Sequence, residues 1–509
     1  MDINSKKIAK NTLYLYFRFL LILLVNLYSS RVVLEELGVS DFGLYTVIYS
    51  IIGFLSFLSG TLGGSTSRFL TYELGTGNLG KLKETYGTTW VAHILLSLII
   101  LLIAESVGLW YVMKVMVIPS DRYMLSLLIY QISILSTILS VLQIPFTSAI
   151  IAHEAMSAYA LIGIFEAGAK LSVAFLLTVS FMDSKLFLYA ILLLFVSVLV
   201  FVLYCFYSSK KFSEVSFRII YDKNILKALL KFSGWGIMAN LCNVISINGV
   251  VLLFNLFFSP IVVAAQTIAN QVATGLSQLT YNVRSAVNPQ IIKLYADKDY
   301  AKSQHLTIAS AELLFDISIV VCFPCIVTMP FLLNIWLVNV PAYTVLFTQL
   351  LLFQSVIDTF NASYYTPMLA ANKIAKNSLW GLFINLLQIV MVYIIFVLGG
   401  EAVWARILGI ISVFFMSFII KPYILIKDIE YSMKEITRSL LFCLRKISIL
   451  SVPVGTLYVM IPQEDSFDSI MLFVLSFMAI SIILFLMMPK SRRKYVLNMI
   501  RLRRNDANK

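Results

Sequence analysis

YTVIYSIIGFLSFLSGTLGGSTSRFLTYELGTGN, residues 45–78, begins as a nearly unbroken apolar run and ends in glycines, hydroxyls and an arginine. Two folds compete for such a stretch. In a soluble domain, glycines ahead of Arg68 suggest a loop that cradles phosphate. In a membrane, the same residues make a helix with one polar face. A nucleotide P-loop needs Lys-Ser or Lys-Thr directly after its glycines, and GTLGGSTS offers neither. The small and polar positions Tyr45, Thr46, Tyr49, Ser50, Gly53, Ser56, Gly60, Thr61, Gly64 and Ser67 recur every three or four residues, the period of one helix face. Residues 42–69 therefore read as a membrane span, and its polar face must turn toward protein or water.

Composition extends that reading to the whole chain. Of 509 residues, 60% are hydrophobic and 13% charged, against about 45–50% and about 25% in soluble domains. A span needs about 20 apolar residues. Fourteen candidates meet that length, at 12–33, 42–69, 87–110, 124–151, 155–181, 186–207, 233–256, 260–286, 306–333, 343–369, 376–398, 402–424, 444–461 and 469–488. The first is too long for a signal peptide and lacks a cleavage site. The expected fold is thus an all-α polytopic membrane protein with about 14 transmembrane helices.

The net charge of +13 is topological. With both termini and the loops after even-numbered spans on the cytoplasmic side, 30 of the 39 Lys and Arg fall on that face, as the positive-inside rule requires. Only Arg31, Lys114, Arg122 and Lys185 fall opposite. The connections 208–232 and 425–446 and the tail from Ser491 mix basic with apolar residues. They read as segments lying on anionic membrane lipids, with no nucleic acid as partner.

An offset of 221 residues lays the chain on itself without gaps, setting Lys6 on Lys227, Lys10 on Lys231 and Lys81 on Lys302. The ten positions of the opening face map onto Gln266, Thr267, Asn270, Gln271, Thr274, Ser277, Tyr281, Asn282, Ser285 and Asn288, all polar. Because the offset spans six helices, the halves share one orientation, as in transporters built from parallel repeats. The expected organisation is a six-helix bundle at 1–207, a linker at 208–232 and a second bundle at 233–424. An interfacial segment at 425–443, two further helices at 444–488 and a basic tail at 489–509 follow. Tyr49, Ser56, Gln266, Asn270, Gln271 and Asn282 are the expected polar lining of a cavity; packing of helix on helix is the other reading.

Sites of soluble chemistry are not in evidence. Three histidines are scattered, no nucleophile elbow occurs, and the five cysteines all lie in apolar runs, so no metal, cofactor or enzymatic activity is expected. The spacing in CFPC, 322–325, reads as packing. Charge inside spans is costly and marks function by default. Arg18, Arg68, Lys170 and Arg284 are the candidate cavity cations; Arg18 and Arg68 have a second reading, snorkelling to headgroups. Glu166, Asp316 and Asp358 are candidates for ion coupling, although Glu166 and Lys170, at i and i+4, also suit mutual neutralisation, and Glu312 and Asp316 suit an interfacial position. A cavity richer in cations than acids fits an anionic, phosphate-bearing substrate. Pro145, Pro324, Pro330 and Pro367 are expected to break helices near it.

The run KKIAKNTLYLYFRFLLILLVNLYSSRVVLEELGVSDFGLYTVIYSIIGFLSFLSGTLGGSTSRFLTYELGTGN from Lys6, with VNPQIIKLYADKD from Val287, resembles the O-antigen type of polysaccharide repeat-unit flippases. These share an exporter superfamily with multidrug MATE transporters and lipid II flippases. The resemblance implies transfer of an undecaprenyl-pyrophosphate-linked oligosaccharide across the bacterial inner membrane by alternating access. It further implies cationic residues receiving the pyrophosphate, the last two helices serving the lipid tail, a proton or sodium gradient for coupling, and other polysaccharide assembly proteins as partners. A MATE-like ion-coupled drug or metabolite antiporter is the alternative. A membrane glycosyltransferase or polymerase finds no long outer loop to carry its chemistry.

Overall fold

The computed structural model describes residues 3–182, 184–216, 220–371, 373–461 and 466–487, with no strand among them. The tail at 489–509 and the side chains of Ser56 and Asn282 lie outside the described residues. Eighteen α-helices follow in order: α1 (Ile3–Gly53), α2 (Ser56–Thr76), α3 (Leu79–Ile103), α4 (Leu109–Lys114), α5 (Tyr123–Ala152), α6 (Met156–Val179), α7 (Lys185–Lys211), α8 (Lys223–Val244) and α9 (Val250–Phe257). The chain continues through α10 (Pro260–Ala296), α11 (Tyr300–Val327), α12 (Met329–Trp336), α13 (Thr344–Ala370), α14 (Ile374–Val397), α15 (Val403–Phe415), α16 (Lys421–Asp428), α17 (Met433–Met460) and α18 (Ser466–Met487). Single π turns at Ala104–Gly108, Ile245–Gly249 and Met416–Ile420 join α3 to α4, α8 to α9 and α15 to α16, so each pair runs on without a loop. Ten stretches among the described residues are long and apolar enough to cross a membrane, from Leu79–Lys114 to Ser466–Met487. The chain is a multi-pass membrane protein.

The structure corrects the expected span at 42–69. Helix α1 ends at Gly53, a two-residue turn follows, and α2 starts at Ser56. Earlier, α1 consists of two helices joined at Gly38, whose φ of 73° belongs to a region that glycine enters without a Cβ penalty. The prolines also behave otherwise than expected. Pro145, Pro324 and Pro367 lie inside α5, α11 and α13, which continue past them. After Pro324, the Thr328 backbone N–H and hydroxyl both donate to the Pro324 carbonyl, so the turn closes around the proline. Only Pro330 stands at a boundary, in the first turn of α12, where no backbone N–H is missed.

The helices pack as two compact units. The first comprises 1–271, 337–344 and 378–408; the second comprises 272–336, 345–377 and 409–509. In the first unit an aromatic core joins Tyr86 and Trp90 of α3, Phe146 of α5 and Tyr204 of α7, all buried, with Trp90 edge-on to Phe146 at 5.3 Å. Helix α2 is sewn to α8 by hydroxyl and amide groups: Ser65 meets Ser233 at 2.7 Å and Asn240 donates to Thr61 at 2.7 Å. Two cations expected on the minority face, Arg122 and Lys185, pair with Asp41 at 3.2 Å and Glu36 at 2.5 Å. Both acids flank the Gly38 bend of α1, so these charges serve packing. In the second unit Phe360 of α13 sits among Phe315 of α11, Tyr364 and Phe418. Helix α17 runs unbroken from Met433 to Met460, across the expected boundary between the interfacial segment and the span at 444. At Cys322 and Cys325, α11 carries free thiols.

Candidate functional site

In the first unit, α1 and α6 bring three of the expected charges together. Tyr159, Gly163, Glu166 and Lys170 follow one another on α6 at intervals of four, three and four, so they form one stripe. Arg18 of α1 lies on it, its guanidinium 4.3 Å from the Tyr159 ring centre, within cation–π range. Gly163 makes the approach possible, since a Cβ there would stand 2.3 Å from the Arg18 Nε. One helical turn on, Lys170 donates to Glu166 at 2.6 Å, and both remain partly exposed, at 43% and 33%. Tyr204 of α7 is close enough to interact electrostatically with Tyr159, Arg18 and Glu166, which closes the group on its third side.

The charge balance of this group is two cations against one carboxylate. Glu166 is committed to Lys170, whereas the Arg18 Nε is buried without a hydrogen-bond partner among the described residues. A buried N–H left unpaired is costly, and an incoming phosphate oxygen would satisfy it. The aromatic faces of Tyr159 and Tyr204 exclude water on the flanks and so strengthen any ion contact made there. Neither tyrosine was marked by the sequence, although Tyr159 shares its helical face with Glu166 and Lys170.

Arg68 stands apart from that stripe. It is exposed on the middle of α2, with its guanidinium 4.0 Å from the centre of the Phe232 ring. Of the polar set, Tyr49 is exposed and stacks on Tyr45. Gln266 is buried and donates to Asn270 at 2.9 Å, and Gln271 accepts from Ser30 at 2.8 Å. These amides are held by neighbouring helix groups within the first unit.

The second unit holds two further charge groups. Asp358 of α13 interacts electrostatically with Arg284 of α10 and with Lys421 at the start of α16. Lys421 is buried and lies 5.5 Å from the Tyr365 ring centre. Asn288, one turn beyond Arg284, accepts from Thr366 of α13 at 2.7 Å, which fixes α10 on α13. The other group joins α11 to α17: Lys446 donates to Asp316 at 2.6 Å and Ser439 donates to Glu312 at 2.9 Å. Lys446 and Asp316 are almost sealed, at 4% and 15% exposure. Lys421, in the last turn of the expected span 402–424, and Lys446, in the connection 425–446, count in the sequence as cytoplasmic cations, and only their tertiary neighbours mark them as buried.

No protein-family model matches the chain, and no curated protein matches it in sequence. Solved structures do match in fold. The chain is similar to the lipid II flippase MurJ in an inward closed conformation, at 15% identity and a TM-score of 0.67, over 94% of this chain and 99% of that one. It is also similar to an inward-facing multidrug resistance MATE family transporter of the MOP superfamily, at 12% identity and a TM-score of 0.63, over 79% and 93% of the two chains. The outward-facing conformation of such a transporter matches at 13% identity and a TM-score of 0.58, over 82% and 96%. The fold is therefore that of the flippases and transporters of this architecture.

Proposed function

We propose that this chain is a flippase of the MOP superfamily, moving an undecaprenyl-pyrophosphate-linked oligosaccharide across the bacterial inner membrane by alternating access. The observation that carries the reading is the gathering of Arg18, Glu166 and Lys170 on one stripe of α6, with a buried Arg18 N–H awaiting an acceptor. A pyrophosphate supplies several anionic oxygens to two cations where water is scarce. Arg284, beside Asp358 and Lys421, gives the second half its own cation group, and Arg68 stands on the exposed face of α2. The expected bundles at 1–207 and 233–424, with both termini cytoplasmic, belong to the same reading. So does coupling to a proton or sodium gradient, for which Asp358 and Glu166 are the carboxylates beside cations.

A strain lacking this chain, complemented with wild type, Lys170→Ala or Arg284→Ala, tests the proposal. Both variants should reach the membrane in normal amount, give no surface polysaccharide, and accumulate lipid-linked repeat units on the cytoplasmic leaflet. Normal polysaccharide in both would remove these residues from the site. A MATE-like antiporter of drugs or metabolites is the second reading, favoured by the likeness to multidrug transporters over 79% of the chain. It requires that deletion change drug sensitivity and leave polysaccharide intact. The flippase likeness reaches over 94% of the chain, which supports the first reading.

A further inference from the structure

A groove of about 670 Å³ opens in the second unit where the first turns of α11 and α17 meet the end of α18. His305 and Glu312 of α11, Arg438, Phe442 and Arg445 of α17, and Met487 of α18 line it. Its acids are engaged: Glu312 accepts from Ser439 at 2.9 Å, and Glu435, at the rim, accepts from Gln304 at 2.8 Å. Its cations are not, since Arg438 and Arg445 are exposed and have no ion-pair partner among the described residues. Seven residues apart on one helix, they share a face about 10 Å from end to end.

Depth decides what such a face can meet. Helix α17 has 28 residues, about 42 Å at 1.5 Å per residue, against a hydrocarbon core about 30 Å thick. With the basic end of the helix outside, its first two turns overhang the core. Arg438 then stands at headgroup level, and Arg445, about 10 Å deeper, extends its guanidinium toward the headgroups along its flexible stem. Below them the walls are apolar, formed by Ile308, Ala309 and Phe442.

We infer that this groove is a binding site for one anionic phospholipid of the surrounding leaflet, with its phosphate on Arg438 and Arg445 and its acyl chains along Ile308, Ala309 and Phe442. The occupant bridges α11 and α17, and so fastens the last two helices to the rest of the second unit. The site requires only a membrane-embedded chain, so its failure leaves the flippase proposal untouched.

The full chain in mild detergent, titrated with phosphatidylglycerol or phosphatidylcholine and read by native mass spectrometry, tests this. Wild type should retain phosphatidylglycerol preferentially. Since a juxtamembrane cation contributes about fivefold to anionic-lipid binding, R438Q or R445Q should weaken retention about fivefold and the double variant about twenty-fivefold, with phosphatidylcholine unaffected. Ala309→Trp, which fills the apolar wall and keeps both arginines, should also weaken phosphatidylglycerol, and carries the test should the double variant not remain monodisperse. Equal retention of the two lipids by wild type, or undiminished phosphatidylglycerol binding in either altered groove, overturns the inference. Displacement of the lipid by undecaprenyl diphosphate at equal concentration also overturns it, by assigning the groove to a transported substrate.

Discussion

Glu166–Lys170 and Asp316–Lys446 are both carboxylate–lysine pairs at the same distance, 2.6 Å, in very different surroundings. The first is local, four residues apart on α6 and partly open, at 33% and 43% exposure. The second joins α11 to α17 across 130 residues and is nearly sealed. A local, accessible pair contributes little to stability, because solvent screens it and no distant segments depend on it. It is therefore free to exchange partners with an arriving anion. A sealed pair cannot be opened cheaply, because breaking it leaves a lone charge where water does not reach. Position in the fold, and not residue type, separates the proposed site from a latch.

The comparison can be broken most severely at Lys446. Lys446→Ala should destabilise the protein by about 3–5 kcal/mol by removing one member of a buried ion pair, read as a large fall in melting temperature in detergent. The double variant D316N/K446M should recover most of that loss, and a melting temperature unchanged in the single variant would refute the latch. Lys170→Ala should move stability by less than about 1 kcal/mol while abolishing complementation. If it instead unfolds the protein, the two pairs are alike after all.

Gly163→Ala sharpens the same contrast without touching a charge. The new Cβ would fall 2.3 Å from the Arg18 Nε, so the flexible guanidinium must move off Tyr159. Transport should drop strongly with little change in melting temperature, and normal transport would show that Arg18 need not lie on the α6 stripe. The smallest effect belongs to helix ends. Asn78 caps α3 by accepting from the Lys81 N–H at 3.1 Å, and Asn78→Ala should cost about 1 kcal/mol with transport unaffected. At the start of α11, Lys302 holds the Asp299 carboxyl below the usual carboxylate range. A depressed folded-state value stabilises above the unfolded carboxylate pKa of about 3.9, and this small contribution disappears as pH falls through the folded value. In a pH series on the purified protein, Asp299→Asn should flatten only the acid side.

Composition alone settles the solvent class and the helical fold. An apolar content of 60% leaves lipid as the only consistent surroundings, and in lipid every backbone group must be satisfied within a helix or a closed barrel. It also picked out Arg18, Glu166 and Lys170, because charge in a span stands out against its neighbours whatever the packing. Some features were not legible, since they depend on contacts between residues far apart in the chain. The break at Gly53–Ser56 could not be read from an apolar run that continues through it. Nor could the continuity of α13 past Pro367, which runs on beside the Thr366–Asn288 hydrogen bond. Lys421 and Lys446 look in the sequence like any cytoplasmic cation, and only the helices folded around them put one beside Asp358 and the other on Asp316. Hydrophobicity is summed along the chain and can be read there; the partner of a charge is decided by which helices meet.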